Sequence, residues 1–553
     1  MPAKKDSSMS RRKSLSNSHL DDMITAAPIE KLHNRREFLS LMANGLGYSA
    51  LAFTLPGCGS SEEEDDEQSE NDPVTVETEI PQASAAYSVL KRTSFGVHRD
   101  QLESINNLGI DQYLEQQLDY INIDDANLES EIQTRFPLIF ESPNELYAGF
   151  PENIETIVRQ MIGATQYRQI FSRRQLYEVM VEFWTDHFNI HLINGLEPTL
   201  KPTDDQQVIR THALGNFRDL LHASAKSPAM LFYLDNYNNL ASAPNENYAR
   251  ELMELHTLGV DGGYTETDIK EVARCFTGWT IEFPNSGTAE YGVFRYNDAI
   301  HDQQSKVVLN QTIAAGGGQQ DGEQILDLLA THPSTADFIA TKLCRRFVSD
   351  DPDQAIIDQV AEAFSNSQGD IKQTLRALFT SNAMQANADQ KLTRPSEFLA
   401  GLVRALAPDT GYPADHGELY FFAQAILGQL PYFWSTPDGY PDVQSYWSST
   451  GGILNRWRLS FFSFAPISLS NDIIFIDYLP MLNGAESLAA ITDALTDAIL
   501  MRPISSADRR HIIDWLTAEY RYDEDATLPD GIPEQIAPLV AAVLVSSVYF
   551  QLR

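Results

Sequence analysis

Cysteine is nearly missing from this chain: Cys58, Cys275 and Cys344 are the only three in 553 residues. That number excludes a disulfide framework, and no C-x-x-C-H stretch is present to attach a haem. Cys275 and Cys344 can pair with each other or sit as buried, inert thiols. Basic residues are also in short supply, with 40 Lys and Arg against 77 Asp and Glu, a formal charge of −37. A phosphate backbone needs a basic face, so nucleic acid is not an expected partner. There is no G-x-S-x-G elbow, no H-E-x-x-H pair and no fixed-period repeat, and "YWSSTGG" from Tyr446 reads as a turn with Ser/Thr caps. The glycine cluster Gly316–Gly318 lacks the strand-before, helix-after setting of a phosphate loop and reads as a turn.

What is present divides the chain into three parts. Asn34 opens the stretch "NRREFLSLMANGLGYSALAFTLPGCGS", in which Arg35 and Arg36 precede an apolar run with no charge after Glu37. The run is shorter than the about 20 apolar residues of a comfortable membrane span. It resembles a twin-arginine export signal, and Leu55-Pro56-Gly57-Cys58 resembles a lipobox whose cysteine becomes the lipidated first residue. Residues 1–58 are therefore expected to be an address; the long leader leaves Met9 or Met23 as alternative starts. Residues 59–82 hold ten acidic residues and no basic one, the composition of an extended tether. Residues 83–553 hold 62 acidic against 32 basic residues, a net of −30, in a chain whose 43% apolar and 10% aromatic content is that of a globular protein.

The expected fold of that body is mainly α, a large irregular multi-helix domain with minor β. Leu176, Val179, Met180, Phe183, Trp184 and Phe188 form a helical stripe within 173–191, and 335–348 and 370–385 are amphipathic in the same way. A helix within 212–236 should stop before Pro228. Long alternating runs are scarce, and Ala289–Asn297 is the best strand candidate. A sub-boundary is possible near 387–391.

Candidate site residues cluster in "NENYARELMELHTLGVDGGYTETD", Asn245–Asp268. Asn245 or Asn247 suits an N-cap, Gly259 a C-cap, and Thr265 or Thr267 the next N-cap. Arg250 and Glu254 have the spacing of a solvent pair, and His256 falls in a last turn, where an imidazolium would favour the dipole. Asn247 and Glu251 share a face with Glu254, which capping does not explain. His187 and His191, four apart, would project from one helix face, as metal-binding pairs do. With His301 and Asp302 they form a candidate set for zinc, iron or manganese. Asn247, Glu251 and His256 are the candidate catalytic groups, with Glu251 as base or ligand in metal-assisted water activation. His187, Asn247, Glu251 and His256 are expected to converge on one pocket, with His212 and His301-Asp302 nearby, because each is costly to bury singly. Asp186 either orients His187 or faces water. Trp184, Trp279 and Trp447 read as core before they read as a sugar platform.

Several stretches carry a family resemblance: "LKRTSFGVHRDQL", "MVEFWTDHFNIH", the whole Asn245 block through "CFTGWT", "HPSTADFIATKLCRRFV", "RPSEF" and "PDGYPDVQSYWSSTGGILNRWRLS". With them the chain resembles the domain of unknown function 1800 family, widespread in bacteria and often exported. The resemblance implies an exported partner of the domain of unknown function 1501 family. It leaves two functional expectations open. One is an exported metal-assisted enzyme acting on an extracellular polymer or envelope component; the other is a non-catalytic helical scaffold binding glycan or a partner protein. Attachment is expected through a lipid at Cys58. By resemblance to Gram-negative lipoproteins, Gly59 points to the outer membrane, with periplasm or cell surface otherwise.

Overall fold

The computed structural model describes residues 80–283, 290–381, 383–406, 417–464 and 478–553. Arg35, Arg36, Cys58 and nearly all of the acidic tether lie outside the described residues. The molecule is 64% helical with a few short strands, so the mainly α expectation holds. No helix among the described residues is long and apolar enough to cross a membrane.

The amphipathic stripes become the central helices. Gln175–His187 buries Leu176, Val179, Met180, Phe183 and Trp184, with Trp184 fully enclosed. Each such side chain contributes about 1.5–3 kcal/mol when removed from water. The helix ends at His187 because Phe188 adopts φ −105°, ψ 53°, and Asn189 is then tied through Nδ2 to Trp434 O (2.9 Å) and Thr436 O (2.6 Å). Pro333–Phe347 starts with Pro333 in its first turn and His332 accepting from the Ser334 N–H, and it packs on Gln354–Asn366, which packs on Ile371–Phe379. Phe217–Ala225 stops short of Pro228, which opens the next helix, Pro228–Tyr233.

The Asn245 block folds as two segments and a turn. Asn247–Glu251 is α-helical and continues as a π-helical turn, Leu252–Thr257, closed by Leu258 N–H to Met253 O at 2.9 Å. Gly259 follows at φ 77°, the left-handed stop expected of it. Thr265 and Asp268 form a reciprocal capping box for Glu266–Cys275. Arg250 does not pair with Glu254. Its guanidinium spans both oxygens of Glu266 at 2.8 Å and reaches Glu246, because the second helix presents a carboxylate in better register than the next turn does.

The strands are two antiparallel hairpins. β1, Trp279–Ile281, pairs with β2, Phe294–Tyr296, inside the stretch expected to be a strand; β3, Lys306–Val308, pairs with β4, Gln311–Ile313. The glycine cluster does follow a strand and precede a helix, Gln319–Ala330, contrary to the sequence reading. It is still no phosphate cradle, since a Cβ on Gly317 would sit 2.1 Å from the Asp321 carboxylate, and that negative group occupies the space an anion would need.

One apolar core runs from Ala83 to Phe550, and a smaller one gathers Ile132, Ile162, Leu192 and Tyr432. Near the possible sub-boundary, Lys391 and Arg553 exchange main-chain hydrogen bonds, and Thr393 N–H meets Gln551 O at 2.9 Å. Thr450–Phe464 lies against Ile532–Ser546.

Candidate functional site

His187 closes its helix and points inward, against Trp184, Phe188, Phe217 and Phe338. The π-turn brings His256 to the same place, with ring centroids 6.1 Å apart and both side chains buried. His187 Nε2 lies 3.1 Å from His256 O. A carbonyl can only accept, so Nε2 carries the hydrogen and Nδ1 is left as an acceptor. Lys342, from Pro333–Phe347, donates to it, with Nζ 3.0 Å from Nδ1. Burial, and then the Lys342 charge, hold His187 well below the ordinary histidine range. Burial lowers His256 to about 3, so it is neutral rather than the imidazolium that a helix end would favour, and its Nε2 has no hydrogen-bond partner. Lys342 is partly exposed and lowered to about 8 by burial, a shift that Asp186, Asp438 and Asp442 oppose.

Asp186 does not orient His187. Its carboxylate accepts from Arg394 Nη2 at 2.6 Å, and burial pushes it up to about 6 in spite of that cation. Arg394 belongs to an ion network that sequence reasoning missed. Glu397, at 3% exposure, accepts from Arg346 Nη1 at 2.5 Å, from Arg553 Nη1 and from the Arg394 N–H at 2.7 Å. Burial raises its pKa, but Arg346 and Arg553 more than offset that and hold it down at about 2. Lys391 joins Asp350 (2.6 Å) to Asp442 (3.1 Å), and Glu182 lies 3.7 Å from Arg394 and 3.8 Å from Arg346. Apart from Arg553, every residue involved lies in a stretch that carries the family resemblance or adjoins one. The available signal was charged residues embedded in apolar helices, such as Arg346 within "KLCRRFV".

The loop 431–447 covers this end of the helix. Gly439 is at φ 74°, and a Cβ there would lie 2.0 Å from Asp186 O, so only glycine allows this approach. Trp434, Tyr440, Tyr446 and Trp447 pack ring to ring along the loop, with Tyr446 47% exposed. Tyr233 OH donates to Ser435 O at 3.0 Å. Glu251 is half-buried on the adjoining face and raised by burial, then by Glu254 and Asp438.

The remaining candidates sit elsewhere or serve the fold. Asn247 Nδ2 donates to Leu234 O at 3.1 Å, and Asn245 Oδ1 accepts from Asn247 N–H at 3.0 Å. His191 is off the helix and packs edge-on against Phe433, so the i, i+4 face was lost when the helix stopped at His187. His301 is held by Thr277 O (2.7 Å) and Asp321 (3.2 Å), and Lys306 bonds the same Asp321 at 2.5 Å. Asp302 is clamped by Arg274 at 2.7 Å. His212 is partly buried, and that burial lowers it. His187 and His301 therefore have both ring nitrogens engaged. Among the described residues no three His, Cys, Asp or Glu side chains are gathered to hold a metal ion, so the four candidate ligands do not fit a metal as arranged. Cys275 and Cys344 are buried and unpaired, with burial pushing both thiols up to about 12.

The fold and site define a mainly helical protein built around a buried acid–base network. The chain belongs to the family described as "Protein of unknown function (DUF1800)", whose model matches residues 88–552. Neither the curated proteins nor the solved structures give a match to it.

Proposed function

We propose that this is an exported envelope protein whose body carries an acid–base site centred on Lys342. The supporting observation is the 3.0 Å contact from Lys342 Nζ to His187 Nδ1, with the His187 tautomer fixed by His256 O. A lysine lowered to about 8 loses its proton within reach of neutral pH. It can then act as general base or nucleophile, and in its charged form as acid. His187 holds the ammonium in place without competing for the proton. Asp438, whose charge acts on both Lys342 and Glu251, supplies a carboxylate near the amine. The rings of Trp434, Tyr440 and Tyr446 suit stacking on a sugar face, so the substrate class that fits is a polysaccharide or glycan of the envelope.

Acylation of the full chain by a limiting amine reagent tests the base directly. Lys342 should react with a pH midpoint near 8, against about 10.4 for ordinary surface lysines. A midpoint near the ordinary value removes Lys342 as the acid–base group. The exposed Tyr446 also favours a second reading, a non-catalytic glycan-binding scaffold. Lys342→Met separates the two: an enzyme keeps glycan binding and loses turnover, whereas a scaffold keeps binding and shows no turnover in either form.

A further inference from the structure

A cavity of about 340 Å³ opens between the helices Arg99–Leu108 and Ile110–Leu118 and the turn at 171–173. Arg404, from Pro395–Leu406, forms part of its wall and is 5% exposed. Its guanidinium donates through Nε to Gly96 O (3.2 Å), through Nη1 to Ile170 O (2.6 Å) and through Nη2 to Gln101 Oε1 (2.5 Å). All three acceptors are neutral. Guanidinium has five N–H donors, so two remain, one on each terminal nitrogen. Arg346, Arg394 and Arg553 are each matched by a carboxylate, and Arg210 by Glu178. Arg92 and Arg456 are also held by neutral oxygens, but neither lines this cavity.

The geometry points to this cleft as a binding site for a small organic carboxylate, with Arg404 as its cation. A buried guanidinium without a counter-charge is costly, and a ligand carboxylate would meet two N–H donors with two oxygens. The rest of the lining agrees. Arg173 adds an exposed second cation at the rim, Asp100 is the lone carboxylate in the lining, and Gln101, Gln116 and Ser104 provide uncharged polar groups for a hydroxylated body. Tyr113 lies within the field of Arg404, which draws its phenol down against the burial that pushes it up to about 12. In a body of net charge −30 such a cleft attracts anions that the general surface repels. The volume suits a ligand of a few to a dozen heavy atoms. This site is separate from the Lys342 reading and does not depend on it.

Calorimetric titration of the full chain with acetate, lactate and galacturonate, and with the neutral methyl ester of galacturonate, tests the assignment. At least one free acid should bind at millimolar concentration or below, and the ester should bind at least about tenfold more weakly than galacturonate. Arg404→Gln should weaken the bound acid by about tenfold or more. Because Arg404 also ties Gly96 and Ile170, Gln116→Trp at the exposed rim serves as a second variant, expected to fold and to block the cleft. Absence of binding by all three acids, equal binding of acid and ester, or undiminished binding in Gln116→Trp would each overturn the proposal.

Discussion

His256 is an imidazole with a depressed pKa in an apolar setting, and the consequence for stability has a definite sign. Its folded value is about 3 against an ordinary 6.5. Between those values the unfolded chain binds a proton that the folded chain refuses, so stability is present above pH 6.5 and is lost as pH falls below it. His187, lowered further by its neighbouring lysine, acts in the same direction. Each such group contributes a slope of at most about 1.4 kcal/mol per pH unit. His256→Phe keeps ring volume beside Phe188 and removes one titration and one unpartnered nitrogen. Its loss of denaturation midpoint between pH 6.5 and 4.5 should be visibly smaller than that of the parent protein. An unchanged slope, measured by urea melts across that range, would show that His256 is protonated in the folded state.

Three segments meet at Glu397: its own helix Pro395–Leu406, the helix Pro333–Phe347 through Arg346, and the final residue Arg553. Removing the charge while keeping the shape leaves two buried guanidinium groups with only their longer contacts, Arg346 to Glu182 at 3.8 Å and Arg553 to Asp442 at 3.7 Å. Breaking one partner of a buried pair typically costs about 3–5 kcal/mol. Glu397→Gln should therefore destabilise the body by about that amount, read as a lowered urea midpoint. Because the carboxylate is held near 2, its contribution is present above about pH 4.5 and lost as pH falls toward 2, so the cost of the variant should shrink in acid. A melt within about 1 kcal/mol of the parent at pH 7 would mean that solvent or another acid replaces Glu397.

The whole chain bears net charge −37, with the most acidic stretch placed directly after Cys58. The proposed outer-membrane lipoprotein, delivered by the twin-arginine route, is tested by fractionation. Cys58→Ser should shift the protein from the membrane to the soluble exported fraction, and Arg35→Lys with Arg36→Lys should leave it inside the cell. A parent protein recovered in the soluble cytoplasmic fraction would end the proposal. The domain of unknown function 1501 family remains the proposed source of an exported partner.

Periodicity and local chemistry were enough for much of the molecule. The stripe of Leu176, Val179, Met180, Phe183 and Trp184, the stop at Gly259, the Thr265 cap and the break before Pro228 could all be read from the chain, because each is decided within a few residues. The convergence of His187 with His256 was also legible, since both lie next to apolar positions that had to face inward. Local rules failed where a distant segment set the outcome. The helix carrying His187 ends before His191 because Trp434 and Thr436 capture Asn189, some 245 residues away in sequence, and no local signal reports that. Arg250 chose Glu266 over Glu254 for the same reason. Arg346, Arg394, Glu397 and Arg553 looked like ordinary charges on separate stretches. Only the tertiary structure buries them together, because a charge inside a protein is held by partners that folding alone brings near.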